Sequence, residues 1–298
     1  MQKWIIDTDP GIDDVMALLV ALASNIEIIA ITTVAGNTTE RNVYRNVIEV
    51  LRIAGKEVPI YRGSKRPLLN QLNTCHEFHG EDGINDYWKT HSDNFQDIQT
   101  EHAASAISRL SKSGDVNIIC LGPLTNLAIA YLQDDTLEFA SIHLMGGTIN
   151  AAGNTTALSE FNIYQDPEAA YIVFDRAPHL SMIPWECTFN DDVKLKQNFL
   201  EAAKNAGPRG RFMVEICQKV NYACDAIAMM TALYPETIEE SEDRHVKIEL
   251  AGNYSRGHTI VHRDPRSILN PTLKKFTIVK KIHHDFFFNR FLQLLVDS

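Results

Sequence analysis

The apolar run Trp4-Ile5-Ile6 ends in Asp7-Thr8-Asp9-Pro10-Gly11-Ile12-Asp13-Asp14, and an apolar helical pattern starts at once with Val15-Met16-Ala17-Leu18-Leu19. The periodicity predicts a buried strand over residues 3–7 and a helix over 13–24, with Pro10-Gly11 as the break between them. Asp7 and Asp9 stand two apart on extended chain and point the same way, while Asp13 and Asp14 open a helix whose N-terminus favours anions. Helix capping accounts for one such acid. It does not account for Asp7 and Asp9, which lie on the strand side of Pro10-Gly11, where no helix terminus needs them. Four carboxylates within eight residues repel one another unless some protonate, some reach solvent or a cation sits among them. The stretch therefore points to a divalent metal site at the carboxyl end of one strand.

The alternation continues. Residues 26–34 form a second apolar, β-branched run, and Gly36-Asn37 precedes a helical pattern over 39–54 that Thr39 is placed to cap. Residues 58–61 supply a third strand. Such a βαβα opening, with right-handed crossovers, makes a parallel sheet. Beyond Thr100 the spacing predicts a helix to about residue 112, a strand over 116–121, a helix opened by Gly122-Pro123-Leu124-Thr125-Asn126, and a strand over 141–145. Asp166-Pro167-Glu168 is a helix start with Asp as cap and Pro first, and 179–184 is a further strand ahead of Trp185-Glu186-Cys187-Thr188. Helices follow over 192–204, 211–219, 225–234 and 284–296. Residues 246–250 and 258–262 alternate as an antiparallel pair, and 276–282 is another strand. We expect a single α/β domain over residues 1–298: a mostly parallel central sheet flanked by helices, Rossmann-like and doubly wound, with extra antiparallel strands near the C-terminus. The polar segment 64–97 has no sustained period, and a loop that long in a compact domain is often a lid or binding loop.

Several chemistries lose their support. There is no GxGxxG after a strand, no GxxxxGK[ST], no GxSxG elbow and no HExxH. A formal charge of -10 argues against nucleic acid or an anionic membrane as a partner, and no apolar run approaches the roughly 20 residues that cross a bilayer. The five cysteines show no CxxC pairing and the chain opens directly on a strand, so we expect a reducing, cytoplasmic location. The acid-rich opening offers oxygen rather than imidazole or thiolate donors. It selects a hard cation, and several carboxylates with a backbone carbonyl suit Ca²⁺ better than Mg²⁺.

Asp7-Thr8-Asp9-Pro10-Gly11-Ile12-Asp13-Asp14 resembles the signature of the nucleoside hydrolases, the inosine-uridine-preferring ribohydrolase family. The resemblance continues, in the family's order, through Val34-Ala35-Gly36-Asn37, Leu121 to Asn126, Leu144-Met145-Gly146-Gly147, Glu160-Phe161-Asn162 with Asp166-Pro167-Glu168-Ala169, and Asp225-Ala226. It implies a calcium-dependent enzyme that cleaves the N-glycosidic bond of nucleosides to free base and ribose, acts in nucleoside metabolism and purine salvage, and assembles as a homodimer or homotetramer. By that resemblance Ca²⁺ would be held by Asp9, Asp14, the Leu121 carbonyl and Asp225, and would bind the ribose diol and a water. Ca²⁺ lowers the pKa of its water only modestly, so a carboxylate beside it is needed as general base, a role that falls to Asp9. Asp13 and Asn162 would bond the 2′-hydroxyl, Asp225 would also reach the 3′-hydroxyl, and Asn37 would complete the diol end. Asn154, Glu160 and Met145 would surround the 5′-hydroxyl.

On the leaving-group side the chain departs from the pattern, because many family members carry His where this one has Cys224. It resembles a subgroup with Cys there; a thiol is protonated at neutral pH and donates weakly, and a free Cys is also an ordinary packing residue. Trp185 and Tyr222 are candidates to stack on the base, and His79 to approach it from the long loop, against the ordinary alternatives of core packing and a surface histidine. Two other classes stay open. A Mg²⁺ phosphohydrolase would use the Asp7-Thr8-Asp9 opening as nucleophile and acid, leaving Asp13-Asp14 and Glu160-Phe161-Asn162 without a role. A catalytically weak nucleoside-binding module would keep the cation site and lose turnover. No pattern in 64–97 or 211–224 separates purine from pyrimidine preference.

Overall fold

The computed structural model describes residues 1–92, 100–218, 220–263 and 274–296. In chain order the first half runs β1 (Lys3–Thr8), α1 (Ile12–Ala23), β2 (Glu27–Thr33), α2 (Glu40–Ala54), β3 (Ile60–Arg62), α3 (His76–His79), α4 (Ala103–Leu110), β4 (Val116–Cys120), α5 (Thr125–Gln133) and β5 (Ser141–Met145). The second half runs α6 (Phe161–Gln165), α7 (Pro167–Arg176), β6 (Ser181–Ile183), α8 (Trp185–Thr188), α9 (Gln197–Asn205), α10 (Pro208–Ile216) and α11 (Cys224–Leu233). It closes with β7 (Ile238–Ile248), β8 (Thr259–His262), β9 (Lys275–Ile282) and α12 (His284–Val296).

One nine-stranded sheet has the order β3-β2-β1-β4-β5-β6-β9-β7-β8. It is parallel from β3 through β9 and antiparallel where β7 meets β9 and β8. β1 lies between β2 and β4, and its period of two feeds a core on each face. Trp4 and Ile6 join Ile31 and Ile119 on one side, and Ile5 joins Ile118 and Ile142 on the other. Helices therefore cover both faces, as a doubly wound sheet requires. α1 packs against α11, so the N-termini of two helices, carrying Asp13-Asp14 and Asp225, meet at the carboxyl edge of the central strands.

Thr39 caps α2 through Asn42 N, and Asp166 caps α7 through Ala169 N with Pro167 in the first turn. Three segments differ from expectation. β7 begins at Ile238 rather than 246, because its acid-rich first half pairs with β9, where Lys280 and Lys281 meet Glu240 and Glu239. The helix expected from 192 starts at Gln197, since Asn190 caps a separate turn over Asp191–Val193 and Leu195 N is held by Asn221 O. The segment 64–97 is more ordered than its sequence shows: it contains α3 and a 3₁₀ turn at Tyr87–Lys89, and Asp82 accepts the Ile84, Asp86 and Trp88 amides. The end of that segment, 93–97, and position 219 of the expected 211–219 helix lie outside the described residues. Among the described residues no helix is long and apolar enough to cross a membrane.

Candidate functional site

Asp9 follows β1 directly and is fully buried. Its Oδ2 accepts the Asn37 backbone amide at 2.7 Å, and its Oδ1 has no donor among the described residues. Two glycines make room for this carboxylate: a methyl group at Gly36 would fall 2.0 Å from Oδ2, and one at Gly122 2.4 Å from Oδ1. The Val34-Ala35-Gly36-Asn37 and Leu121-Gly122-Pro123 segments therefore close on Asp9 from β2 and β4. Burial, and next the charge of Asp14, raise its pKa well above the ordinary carboxylate range.

Asp13, Asp14 and Asp225 place one carboxylate oxygen each within 4.8 Å of one another. Asp14 is heavily dressed: Oδ1 accepts Thr8 Oγ1 at 2.6 Å and Asp9 N at 3.3 Å, and Oδ2 accepts Gly11 N at 3.0 Å and Asn37 Nδ2 at 3.1 Å. Burial pushes Asp13 up to about 6, raises Asp14, and with the Asp13 charge raises Asp225 strongly. Carboxylates from two helix N-termini beside the unpartnered Asp9 Oδ1 make a donor set that fits a hard divalent cation. The grouping differs from expectation in one respect: Asp13 completes the three-carboxylate cluster and Asp9 adjoins it. Asp7 stands apart, its Oδ1 tied to Thr32 Oγ1 at 2.5 Å and Asn126 Nδ2 at 2.8 Å inside the sheet.

A cleft of about 540 Å³ opens above this cluster, within the usual range for a small-molecule site. Every residue that the family resemblance or the base-stacking reading assigned to the site lines it except Asp9 and Asp14, which are fully buried. On the polar side Asn162 Nδ2 donates to Leu121 O at 2.7 Å and Met145 O at 3.2 Å, which binds the ends of β4 and β5 together. Glu160 caps α6: Oε1 accepts Asn162 N at 2.9 Å, and Oε2 accepts Gly147 N at 2.9 Å and Ile163 N at 3.2 Å. Burial raises its pKa to about 7. Asn154 is exposed on the rim.

The opposite side is aromatic. Trp185 stacks on Phe189 with centroids 4.1 Å apart, and Phe189 meets Tyr222 at 3.9 Å. Phe189, 42% exposed, and Phe78, 65% exposed, were missed in the sequence. For Phe189 the signal was there, an aromatic four residues after Trp185, at the residue that caps the short helix α8; Phe78 belongs to no motif. His79 Nδ1 accepts the Ile12 amide at 3.1 Å, and burial lowers its pKa to about 4. It is thus neutral, with its proton on Nε2. Cys224 donates its thiol hydrogen to Thr188 O at 3.6 Å, and burial with the nearby Asp13 charge pushes its pKa up, so it stays a thiol.

A family model described as inosine-uridine preferring nucleoside hydrolase matches residues 4–289. The chain is 34% identical over 288 residues to the inosine-uridine preferring nucleoside hydrolase of Crithidia fasciculata, covering 89% of both chains. It is 32% identical over 281 residues to a probable uridine nucleosidase 2 of Oryza sativa subsp. japonica, covering 87% of this chain and 81% of that one. A solved plant nucleoside hydrolase aligns with a TM-score of 0.91 at 26% identity over 99% of both chains. An acid cluster under a polar and aromatic cleft, at the carboxyl edge of a sheet shared with these enzymes, is what such a match predicts of an N-ribohydrolase, and the chain belongs to the inosine-uridine preferring nucleoside hydrolase family.

Proposed function

We propose that the protein hydrolyses the N-glycosidic bond of ribonucleosides to free base and ribose with a calcium ion held by Asp9, Asp14, Asp225 and the Leu121 carbonyl. The observation that carries this is Asp9, a buried carboxylate wedged between Gly36 and Gly122, with one oxygen that has no donor among the described residues, and adjoining the cluster of Asp13, Asp14 and Asp225. Asp9, Asp14, Asp225 and the Leu121 carbonyl would hold the cation, which would supply positive charge to keep these carboxylates ionised, a hold on the ribose diol and a lower pKa for the attacking water.

Asp9 Oδ1 takes the proton of that water as general base. Asp13 and Asp225 accept from the ribose hydroxyls. The Asn162 amide hydrogens are already engaged, so its Oδ1 is what faces the 2′-hydroxyl. Asn37 holds Asp9 and Asp14 in register at the diol end. Glu160, with Met145 and Asn154 around the 5′-hydroxyl, presents negative charge to a ring that becomes positive as the bond breaks. Trp185 and Tyr222 stack on the base. His79 lines the cleft with its proton on Nε2 and would meet the departing base, whereas the Cys224 hydrogen is directed at Thr188 O. Five free cysteines support a cytoplasmic site of action in nucleoside metabolism and purine salvage, and the family resemblance supports a homodimer or homotetramer.

The test is release of free base from inosine, adenosine, guanosine, uridine and cytidine, with and without chelator. Calcium-dependent release from at least one is expected. Hydrolysis of phosphate esters with phosphorylation of Asp7, or nucleoside bound and recovered intact, would replace the ribohydrolase with one of the two other classes.

A further inference from the structure

The loop after β5 runs from the sugar side of the cleft to its aromatic side, and two carboxylates fix its first turn. Gly147 N donates to Glu160 Oε2 at 2.9 Å, and Gly147 O accepts Trp185 N at 2.9 Å. Two residues on, Ile149 N reaches Glu186 Oε1 and Oε2 at 2.9 and 3.1 Å, and Asn150 N reaches Oε1 at 2.7 Å. Arg263 grips the same peptide from outside, donating to Asn150 Oδ1 at 2.8 Å and Ile149 O at 3.2 Å. The next residue, Ala151, adopts φ 58°, a left-handed conformation unfavourable for a residue with a Cβ. Such a conformation persists where its surroundings over-determine it. From this turn the chain brings Gly153, Asn154 and Thr155 to the cleft wall.

Glu186 belongs to α8, the helix that also carries Trp185 of the aromatic wall and offers Thr188 O to Cys224. We infer that Glu186 is a positioning residue whose carboxylate, by holding the Ile149 and Asn150 amides, sets the Ala151 turn so that Asn154 meets the sugar, and ties that loop to the aromatic wall. This rests on the ribohydrolase reading, in which Asn154 lies by the 5′-hydroxyl. Ile149 rests on the core and leaves Asn150 and Ala151 beyond it, so charge-assisted bonds to the two adjacent amides are what holds the strained turn at its outer end. A purely structural Glu186 would support the fold equally for every substrate. A positioning Glu186 acts only where the substrate offers the group that Asn154 reads.

The experiment compares wild type, Glu186→Gln, Glu186→Ala, Asn154→Ala and the Glu186→Ala/Asn154→Ala double variant. Each is assayed with calcium on whichever of inosine or uridine the wild type cleaves and on its 5′-deoxy counterpart. For Glu186→Ala, KM on the parent nucleoside should rise about tenfold, the scale of one charge-assisted hydrogen bond, with kcat within about threefold. Glu186→Gln, which keeps one carbonyl acceptor, should fall between. KM for the 5′-deoxy substrate should barely move, and Glu186→Ala should add little in the Asn154→Ala background. An equal KM change on both substrates, a change that persists undiminished without Asn154, or no change overturns the inference. If Glu186→Ala does not fold, Glu186→Gln decides on the same comparison. A wild type that cleaves no nucleoside sinks the ribohydrolase reading instead, so the two failures are separable.

Discussion

Asp9 and Asn37 are joined at 2.7 Å through one carboxylate oxygen and a backbone amide, and the other oxygen of Asp9, just as buried, has no donor among the described residues. A buried acceptor left open is destabilising on its own and is retained where something else is to meet it. Asp9→Asn keeps the shape and removes the proposed general base. It should lower kcat about 10²- to 10⁴-fold, the usual contribution of a general base, with the protein still folded by circular dichroism. A kcat within tenfold of wild type would remove Asp9 from that role.

Gly122 offers a test that leaves every acid in place. A methyl group there falls 2.4 Å from Asp9 Oδ1 and 2.7 Å from its Cγ, so in Gly122→Ala the carboxylate must turn away. Its Oδ2 is pinned by Asn37, and little tolerance is left. A base misplaced by about an ångström loses about 100-fold in rate. We expect a kcat/KM loss of that order for Gly122→Ala, larger in proportion than any fall in melting temperature. Activity close to wild type would show that Asp9 is not held as tightly as the geometry indicates.

The same crowding sets the pH dependence. Relative to an ordinary value of 3.8, burial raises Asp13 to about 6 and Asp7 to about 7, and raises Asp9 and Asp225 further in the same direction. A carboxyl with a raised folded pKa holds its proton more tightly in the folded state. Its stabilisation is complete below the unfolded value and is lost as pH climbs through the folded one. In chelator the melting temperature should therefore fall between about pH 5 and pH 8. His79, lowered to about 4, has the opposite sign: its contribution is present above 6.5 and lost as pH drops toward 4. It blunts the acid side only. The proposed calcium would compete with protons for the carboxylates, so the rise in melting temperature on adding it should be larger at pH 8 than at pH 5. Scanning calorimetry at both values, with calcium and with chelator, checks this, and a calcium increment that shrinks with pH would contradict it.

The opening motif was legible because strand, break and helix occupy consecutive residues and the acids sit where no helix cap explains them. Asp225 was legible only through the family resemblance, since no local pattern places the start of α11 beside the start of α1; that is a consequence of helix packing. The early part of β7 was hidden for a physical reason. Glu239, Glu240, Glu242 and Asp243 give no apolar alternation, and the strand exists because β9 supplies backbone partners and lysines. Phe78 was hidden for another: α3 is four residues long, with no buried face to read. Tertiary context, rather than propensity, decides both.

In the proposed reaction Cys224 and His79 are the two candidates for one role, protonation of the departing base, and substrates with different leaving groups separate them. The Cys224 hydrogen is committed to Thr188 O at 3.6 Å, in a bond of the weak thiol kind. Cys224→Ala should leave kcat/KM on inosine within about threefold and lower stability by about 1 kcal/mol, the scale of a net hydrogen bond. His79 lines the cleft and has its proton on Nε2, because Nδ1 accepts the Ile12 amide at 3.1 Å. His79→Ala removes that proton source, and we expect kcat/KM on inosine to fall about 10²-fold, the lower end for a general acid. It also strips the Ile12 amide of its acceptor, which would lower stability whatever the role. A nitrophenyl riboside settles which loss matters, because its leaving group departs as an anion without a proton. If His79→Ala cleaves it at near wild-type rate while failing on inosine, His79 is the acid. If both substrates suffer alike, the damage lies in the N-terminus of α1. If Cys224→Ala shows the selective loss instead, the thiol turns away from Thr188 when a base is bound.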